Sequence, residues 1–334
     1  MIGQLPMSTI LPVLVGGEAL FDFIATEVGH GLGGSRTFQK RVGGSPFNIA
    51  VGIRRLGVPA SFVGKIGVDR FGDALVDFLT AESIDVTHIV REQGTKTILA
   101  FVAVDKQGKP EFHFYRDHAA DDSIRSDELL KVAPSSFCLY HCGGIVLAEE
   151  GAALAYASLV ERFYEAKVPI SLDPTVRASL IHDPDRYRSF LHRIIEKVTV
   201  LKVSDEELLF LTGTSDFDRA VKALPLKEGA LVFVTLGPKG AAVYRNGVKL
   251  ADAAGFNVQA VETTGCGDCF MAAVVAAVAG STIAELAQVG ANVLHSVMRF
   301  ANAAAAIVAT RVGAAEANPN RQEVEQFLAD NPVS

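Results

Sequence analysis

The amino-acid sequence predicts an α/β fold: a three-layer domain with a mostly parallel central sheet, accompanied by a small second β sheet. Three observations lead there. Apolar runs of strand length alternate with helix-periodic segments along most of the chain, the pattern of right-handed βαβ crossovers. A length of 334 residues suits one large α/β domain with a small appended element. Residues 97–116 break the alternation with a period of two and a turn, so this stretch stands apart from the parallel sheet.

The elements follow in order. Ile10–Val15 is a short apolar run ending in Gly16-Gly17, a buried first strand. Gly43-Gly44 precedes a helix over Ser45–Leu56 that stops at Gly57. A strand at Ser61–Lys65 and a helix at Phe71–Glu82 come next. Ile98, Ala100, Val102 and Val104 then alternate. Lys106-Gln-Gly-Lys-Pro turns the chain, and Glu111–Arg116 runs back as a hairpin that joins residues near 23–42. Strands at 137–142, 168–172, 198–201 and 230–235 alternate with helices at 150–166, 184–196 and 204–212. A hairpin-like segment at 241–250 precedes helices at 266–279 and 283–309, the second with a break. This divides the chain into a large domain (1–22, 43–92 and 119–330) and a small β element (23–42 and 93–118).

Composition narrows the function. With 49% hydrophobic and 21% charged residues the chain can bury an ordinary core. A formal net charge of −7 and no run of Lys or Arg argue against a nucleic-acid partner. An acidic protein can still bind an anion through backbone N–H groups. Met1–Ser8 has no basic residue leading into an apolar run, so no secretory signal is expected. The apolar stretches Phe270–Ala279 and Ala303–Ala309 fall short of the roughly 18–20 residues that span a bilayer. The expectation is a cytoplasmic protein with no membrane partner. Cys138 and Cys142, with His141 between them, and the Cys266-Gly-Asp-Cys269 pair raise a zinc or redox alternative. The irregular spacing of the first pair and the glycine-rich setting of the second favour buried structural thiols.

The chemical centre is Glu262-Thr-Thr-Gly-Cys-Gly-Asp-Cys-Phe, a glycine-rich turn opening directly into an apolar helix. The first amides of a helix lack internal partners and carry the positive end of its dipole. Gly265 and Gly267 let a phosphate approach those amides, and Asp268 in the first turn can take a proton from an attacking hydroxyl. Alone, the segment fits a simple helix cap equally well.

Two further segments shift that balance. Gly43-Gly44-Ser-Pro-Phe-Asn48 with Arg55-Leu-Gly57, Glu262–Asp268, and Phe300-Ala-Asn302 through Thr310-Arg-Val-Gly313 together resemble the ribokinase-like (PfkB) carbohydrate kinases, from about Val13 to Phe327. The resemblance implies a Rossmann-like large domain, a β-sheet lid and ATP-dependent phosphoryl transfer to a small sugar. It implies Asp268 as the catalytic base and the amides of Gly265, Cys266 and Gly267 as an anion hole. Asp22, Gly43, Gly44, Asn48, Arg116 and Arg177 match substrate contacts. Lys202, Ser204, Thr235, Gly237, Gly240 and Asn302 fall on the nucleotide side. Glu207 matches a glutamate that holds Mg²⁺ through water. Mg²⁺ accompanies ATP, and the loop near Thr310–Gly313 suits K⁺, although Glu262 replaces the usual Asp there. Ser204 and Thr175 each stand where Asn is common. The flat β lid suggests a homodimer.

Within that resemblance, Lys202-Val-Ser-Asp-Glu-Glu-Leu and Phe112-His-Phe-Tyr-Arg116 are closest to fructokinases. A 2-keto-3-deoxygluconate kinase comes second, because Phe114 occupies a position where those enzymes often carry Tyr. A nucleoside kinase comes third. A non-catalytic sugar-binding regulator on the same fold is opposed by the presence of Asp268. Cys266, at a helix N-terminus in an anion site, is expected to have a lowered thiol pKa and to be alkylated with loss of activity unless ATP protects it.

Overall fold

A computed structural model describes residues 10–27, 29–107, 110–148 and 150–332. The readings made of Met1–Ser8, and of Gly108 and Lys109 in the hairpin turn, lie outside the described residues. The strands are β1 Val13–Gly16, β2 Leu20–Ala25, β3 Phe38–Gly43, β4 Ala60–Gly67, β5 Asp85–Glu92, β6 Ile98–Val104 and β7 Pro110–Tyr115. They continue with β8 Leu139–Gly143, β9 Ile170–Asp173, β10 Val200–Ser204, β11 Leu231–Thr235, β12 Ala241–Arg245 and β13 Val248–Ala253.

Nine of these form one sheet in the order β13-β12-β11-β10-β9-β8-β1-β4-β5. From β11 to β5 every pair is parallel; β12 and β13 close one edge as an antiparallel hairpin. The sheet is covered on both faces, so residues of either parity must be apolar. In β1, Val13 and Val15 enter one core and Leu14 the other. Helices Ser45–Arg55, Arg70–Ala81, Cys266–Val278, Ala291–Ala309 and Arg321–Asp330 cover the first face. Helices Glu150–Glu165, Pro184–Ile195, Asp205–Thr212 and Phe217–Ala223 cover the second.

The remaining four strands form the small sheet, in the order β3-β2-β6-β7. Only β2 and β6 run parallel in it. Leu20 already pairs with Gly43 and Ile98, so the chain passes from one sheet to the other within Gly17–Ala19. One face carries Phe23 stacked on Phe101 at 4.9 Å, with Phe38 and Tyr115 edge-on to Phe101. The opposite face carries Asp22, Ala100 and Phe114, related by strand register.

The sequence pattern missed β5 and the helices Phe217–Ala223 and Arg321–Asp330. β5 is an edge strand carrying Asp85, Arg91 and Glu92, and it has no apolar run to signal it. The expected break in the long helix falls at Val289-Gly290, between Ile283–Gln288 and Ala291–Ala309.

Candidate active site

Strand order reverses around β1, whose parallel neighbours are β8 on one side and β4 on the other. In open α/β sheets, ligands settle at the carboxyl ends of strands near such a point. Here those ends are met by two helix N-termini, Ser45–Arg55 and Cys266–Val278.

The N-cap of the second helix is Gly265, at φ +81°, a left-handed geometry that costs a glycine little. A Cβ there would sit 2.8 Å from the Ala314 Cβ. The helix therefore starts tightly: the Cys266 amide, expected in the anion hole, turns back to the Thr263 carbonyl at 3.3 Å, while the next amides of the first turn have no intrahelical acceptor. Asp268 lies in that turn. Its Oδ1 accepts from the Ser45 hydroxyl at 2.7 Å, and its Oδ2 accepts from the Asn48 amide at 2.7 Å. The Ser45 hydroxyl in turn accepts from the Thr175 hydroxyl at 3.2 Å. The Asn48 Oδ1 is buried with no partner among the described residues, an acceptor open to a ligand hydroxyl.

Lys202, on β10, approaches the same helix end from below. Its ammonium donates to both Asp173 oxygens, at 3.0 and 3.1 Å, and would lie 3.3 Å from a Cβ built on Gly267. Burial opposes the charge, but Asp173, Glu207 and Asp268 outweigh it and hold the ammonium protonated above the usual lysine range. A cation, open amides and a carboxylate therefore converge on one point, an arrangement suited to a transferring phosphoryl group.

Asp22 faces this point from the small sheet. Gly43 makes room for it: a Cβ there would lie 2.1 Å from the Asp22 Oδ2. Burial, then the charges of Asp268, Glu262, Glu316 and Glu18, push the Asp22 carboxyl up to about 7. Gly44 takes φ +102° as the N-cap of the Ser45–Arg55 helix.

Other expected residues are committed to the scaffold. Glu207 and Ser204 form a reciprocal capping box, and the second Glu207 oxygen accepts from the Val176 amide at 3.0 Å. Asn302 donates to the Ala253 and Ala254 carbonyls at 3.0 and 3.1 Å, fixing the end of β13. Thr235 pairs with Ser204 across β10 and β11, and its hydroxyl donates to the Val203 carbonyl. Gly237 and Gly240 shape the turn that follows, both at positive φ. Arg177 is exposed and donates to the adjacent Val176 carbonyl. Arg116, just past β7, is engaged by Asp121 at 3.1 Å and by Asp122.

One expectation is overturned. Cys266 is half-buried, and burial, reinforced by Asp268 and Glu262, pushes its thiol up to about 11. The thiolate that would react with an alkylating agent is therefore scarce at neutral pH. All four cysteines are free thiols, and no cluster of three or more metal-ligating side chains occurs among the described residues.

Three site residues escaped the sequence reading: Ser45, Asp173 and Glu18. Ser45 lies inside the Gly43-Gly44-Ser-Pro-Phe-Asn48 motif, and Asp173 is the last residue of β9, one past the strand expected at 168–172. Glu18 contacts Ser45 and Val146 across 27 and 128 residues of sequence, a relation no local pattern reveals.

A parallel sheet that presents open helix amides, a lysine and a carboxylate at its switch point defines a phosphotransferase. Comparison with known proteins makes this specific: residues 12–321 match the pfkB family carbohydrate kinase description, and the chain belongs to that family. It is a sugar phosphotransferase. It is 38% identical over 315 residues to probable fructokinase-2 of Arabidopsis thaliana, covering 93% of this chain and 94% of that one. Fructokinase with bound ATP from Xylella fastidiosa superposes with a TM-score of 0.85 at 28% identity, covering 96% and 98% of the two chains. A double mutant of fructokinase from Vibrio cholerae O395, in a form binding fructose, ADP and potassium ion, gives 0.82 at 27% identity, covering 96% and 98%.

Proposed function

We propose that this chain is a fructokinase that transfers the γ-phosphoryl group of ATP to a fructose hydroxyl, with Asp268 as general base. The observation that carries the reading is the convergence on Asp268. Donors from Ser45 and Asn48 hold the carboxylate at a helix N-terminus, and the Lys202 ammonium lies beside that helix end. Asp22 and Asn48 hold the sugar, together with the backbone at Gly43 and Gly44. Arg116 and Arg177 belong to the wider substrate surround.

The sugar oxygen attacks the γ-phosphorus in line as the bond to the bridging oxygen of ADP breaks, and its proton passes to Asp268. Amides of Gly265, Cys266 and Gly267, with Lys202, stabilise charge on the equatorial oxygens. The strand ends at Ser204 and Thr235, the turn at Gly237 and Gly240, and the loop fixed by Asn302 form the nucleotide side. The small sheet covers the sugar and keeps water from competing as acceptor. The division expected from the sequence (1–22, 43–92 and 119–330 against 23–42 and 93–118) puts Leu20–Asp22 in the body, whereas β2 belongs to the small sheet; we place the start of the lid at Leu20.

A Mg²⁺ ion carried by the nucleotide fits the donor set, because such ions keep several waters and rely on phosphate oxygens. Glu207, buried beside the Asp173–Lys202 pair with both oxygens accepting backbone amides, suits a water-mediated contact. When bound, the ion neutralises charge on the phosphate oxygens. Glu262, which accepts from the Gly313 amide, and Glu316, whose Oε2 is buried without a hydrogen-bond partner among the described residues, would be the side chains to hold a monovalent cation, which would supply fixed positive charge there. The aromatic face at Phe23, Phe101 and Tyr115, with Tyr115 exposed, supports a homodimer through the lid, which light scattering tests directly. No helix among the described residues is long and apolar enough to cross a membrane. Free thiols suit a reducing compartment such as the cytoplasm, to be checked by microscopy of a tagged chain.

The test is ADP release across ketoses, aldoses, ketodeoxy acids and nucleosides, with and without Mg²⁺ and with K⁺ or Na⁺. Fructose is expected to give the highest kcat/KM, and Asp268→Asn to lose about a thousandfold in kcat. A wild-type protein that turns over none of the panel sinks the kinase reading. An Asp268→Asn variant with undiminished turnover sinks the assigned base.

A further inference from the structure

Glu18 is 1% exposed, yet it carries a carboxylate and lies in the passage between the two sheets. Its Oε1 accepts from the Ser45 amide at 3.1 Å, and its Oε2 accepts from the Val146 amide at 3.4 Å. The space for it is built in: a Cβ on Gly144 would lie 2.1 Å from Oε2, and one on Gly44 would lie 2.7 Å from the Glu18 carbonyl oxygen. Ser45 is the first residue of the Ser45–Arg55 helix, so its position sets where that helix begins. The same residue then reaches Asp268, and its hydroxyl proton is aimed there because Thr175 donates to its oxygen.

We propose that Glu18 is a positioning residue for phosphoryl transfer, acting by pinning the Ser45 amide and thereby the hydroxyl that orients the Asp268 carboxylate. The proposal rests on Asp268 being the base. Arg116 belongs to the same unit. It follows the last strand of the small sheet and reaches down to Asp121 and Asp122. Burial pushes the Glu18 carboxyl up to about 7, and the backbone amides around it and the Arg116 charge oppose that rise. Asp22 and Asp121, together with the more distant Cys142, Tyr156 and Tyr187, also sense the Glu18 charge. A carboxylate needed only to fill space would be served as well by an amide of the same shape. One that pins an amide by charge would not.

The experiment is a double-mutant cycle on the full-length protein between Glu18→Gln and Ser45→Ala, reading kcat and both KM values beside the melting temperature. Misplacing a catalytic group by about 1 Å can cost about a hundredfold. Glu18→Gln is expected to lower kcat by about tenfold to a hundredfold with both KM values changed less than about threefold. In the Ser45→Ala background the same change is expected to cost less than about threefold more, because the route to Asp268 is already cut. Glu18→Asp, which keeps the charge but withdraws the acceptor, serves where Glu18→Gln does not fold, and the same kcat loss is expected. Unchanged kcat in whichever of these variants folds, or a full multiplicative loss in the cycle, overturns the positioning role. Neither result touches the base assignment, which Asp268→Asn tests by itself.

Discussion

The proposed sugar side and the proposed nucleotide side of this site are built on different principles. On the sugar side the side chains themselves point into the site. Asp22 is crowded by four other carboxylates, Asn48 leaves an acceptor open, and Thr175 and Ser45 pass a hydrogen bond toward Asp268. On the nucleotide side the polar side chains have been spent on the fold: Ser204 and Glu207 cap a helix and Asn302 ties down a loop. What that side offers a ligand is backbone. If one substrate is recognised by side chains and the other by main-chain shape, substitutions on the two sides should fail differently.

The sharpest test of that contrast is the residue that belongs to both sides. Lys202→Met removes the cation at the helix end and leaves Asp173 buried without its partner. A loss of about a hundredfold or more in kcat is expected, with a melting-temperature decrease beside it. A variant of normal turnover would mean that the backbone amides suffice.

Next in size is the acid limb of sugar recognition. Burial and the surrounding acids raise the Asp22 pKa, so its carboxylate form is lost as pH falls through about 7. The kcat/KM for the sugar should therefore decline below that pH while the KM for ATP stays flat, and Asp22→Asn should remove the limb. The sign for stability is opposite. Between its ordinary range near 3.8 and about 7 the folded state holds the proton more tightly, so this group's contribution weakens as pH rises across that window. Chemical denaturation at a series of pH values, compared with Asp22→Asn, checks it.

The smallest effect concerns strain. Thr175 adopts φ +47°, a left-handed geometry that a β-branched residue resists and Asn accepts readily. Thr175→Asn is expected to raise stability by about 1 kcal/mol, read as a higher melting temperature. A decrease would mean that the hydroxyl's bond to Ser45 outweighs the strain.

Much of this was legible in the sequence where function coincides with a local signal. Gly265 to Asp268 form a glycine-rich turn into an apolar helix, which alone fits a cap as well as an anion site; its company with the two other motifs decided between them. Asn48 was legible through the same family resemblance, on the Gly43-Gly44 motif. Other features were hidden by distance or by an ambiguous pattern. Ser45 and Asp268 stand 223 residues apart, and only the crossover topology brings them together. β5 carries the composition of a surface segment, since an edge strand buries too little to need an apolar run. Cys266 misled for a physical reason: its place at a helix end is visible in the sequence, but the burial that reverses its acidity is not.

Both oxygens of Asp268 are already engaged, one by Ser45 and one by Asn48. A base held in this way is parked. Ser45 and Asn48 fill one site on each oxygen and fix the direction of those left, so a stray water must meet a constrained carboxylate, whereas a sugar held as proposed by Asp22 and Asn48 would arrive with its hydroxyl aligned. If Asp268 is the base, idle hydrolysis of the nucleotide is expected to be restrained at the base itself, before any lid has moved. ADP release in the absence of sugar measures that restraint, and a rate close to the sugar-driven one would refute it.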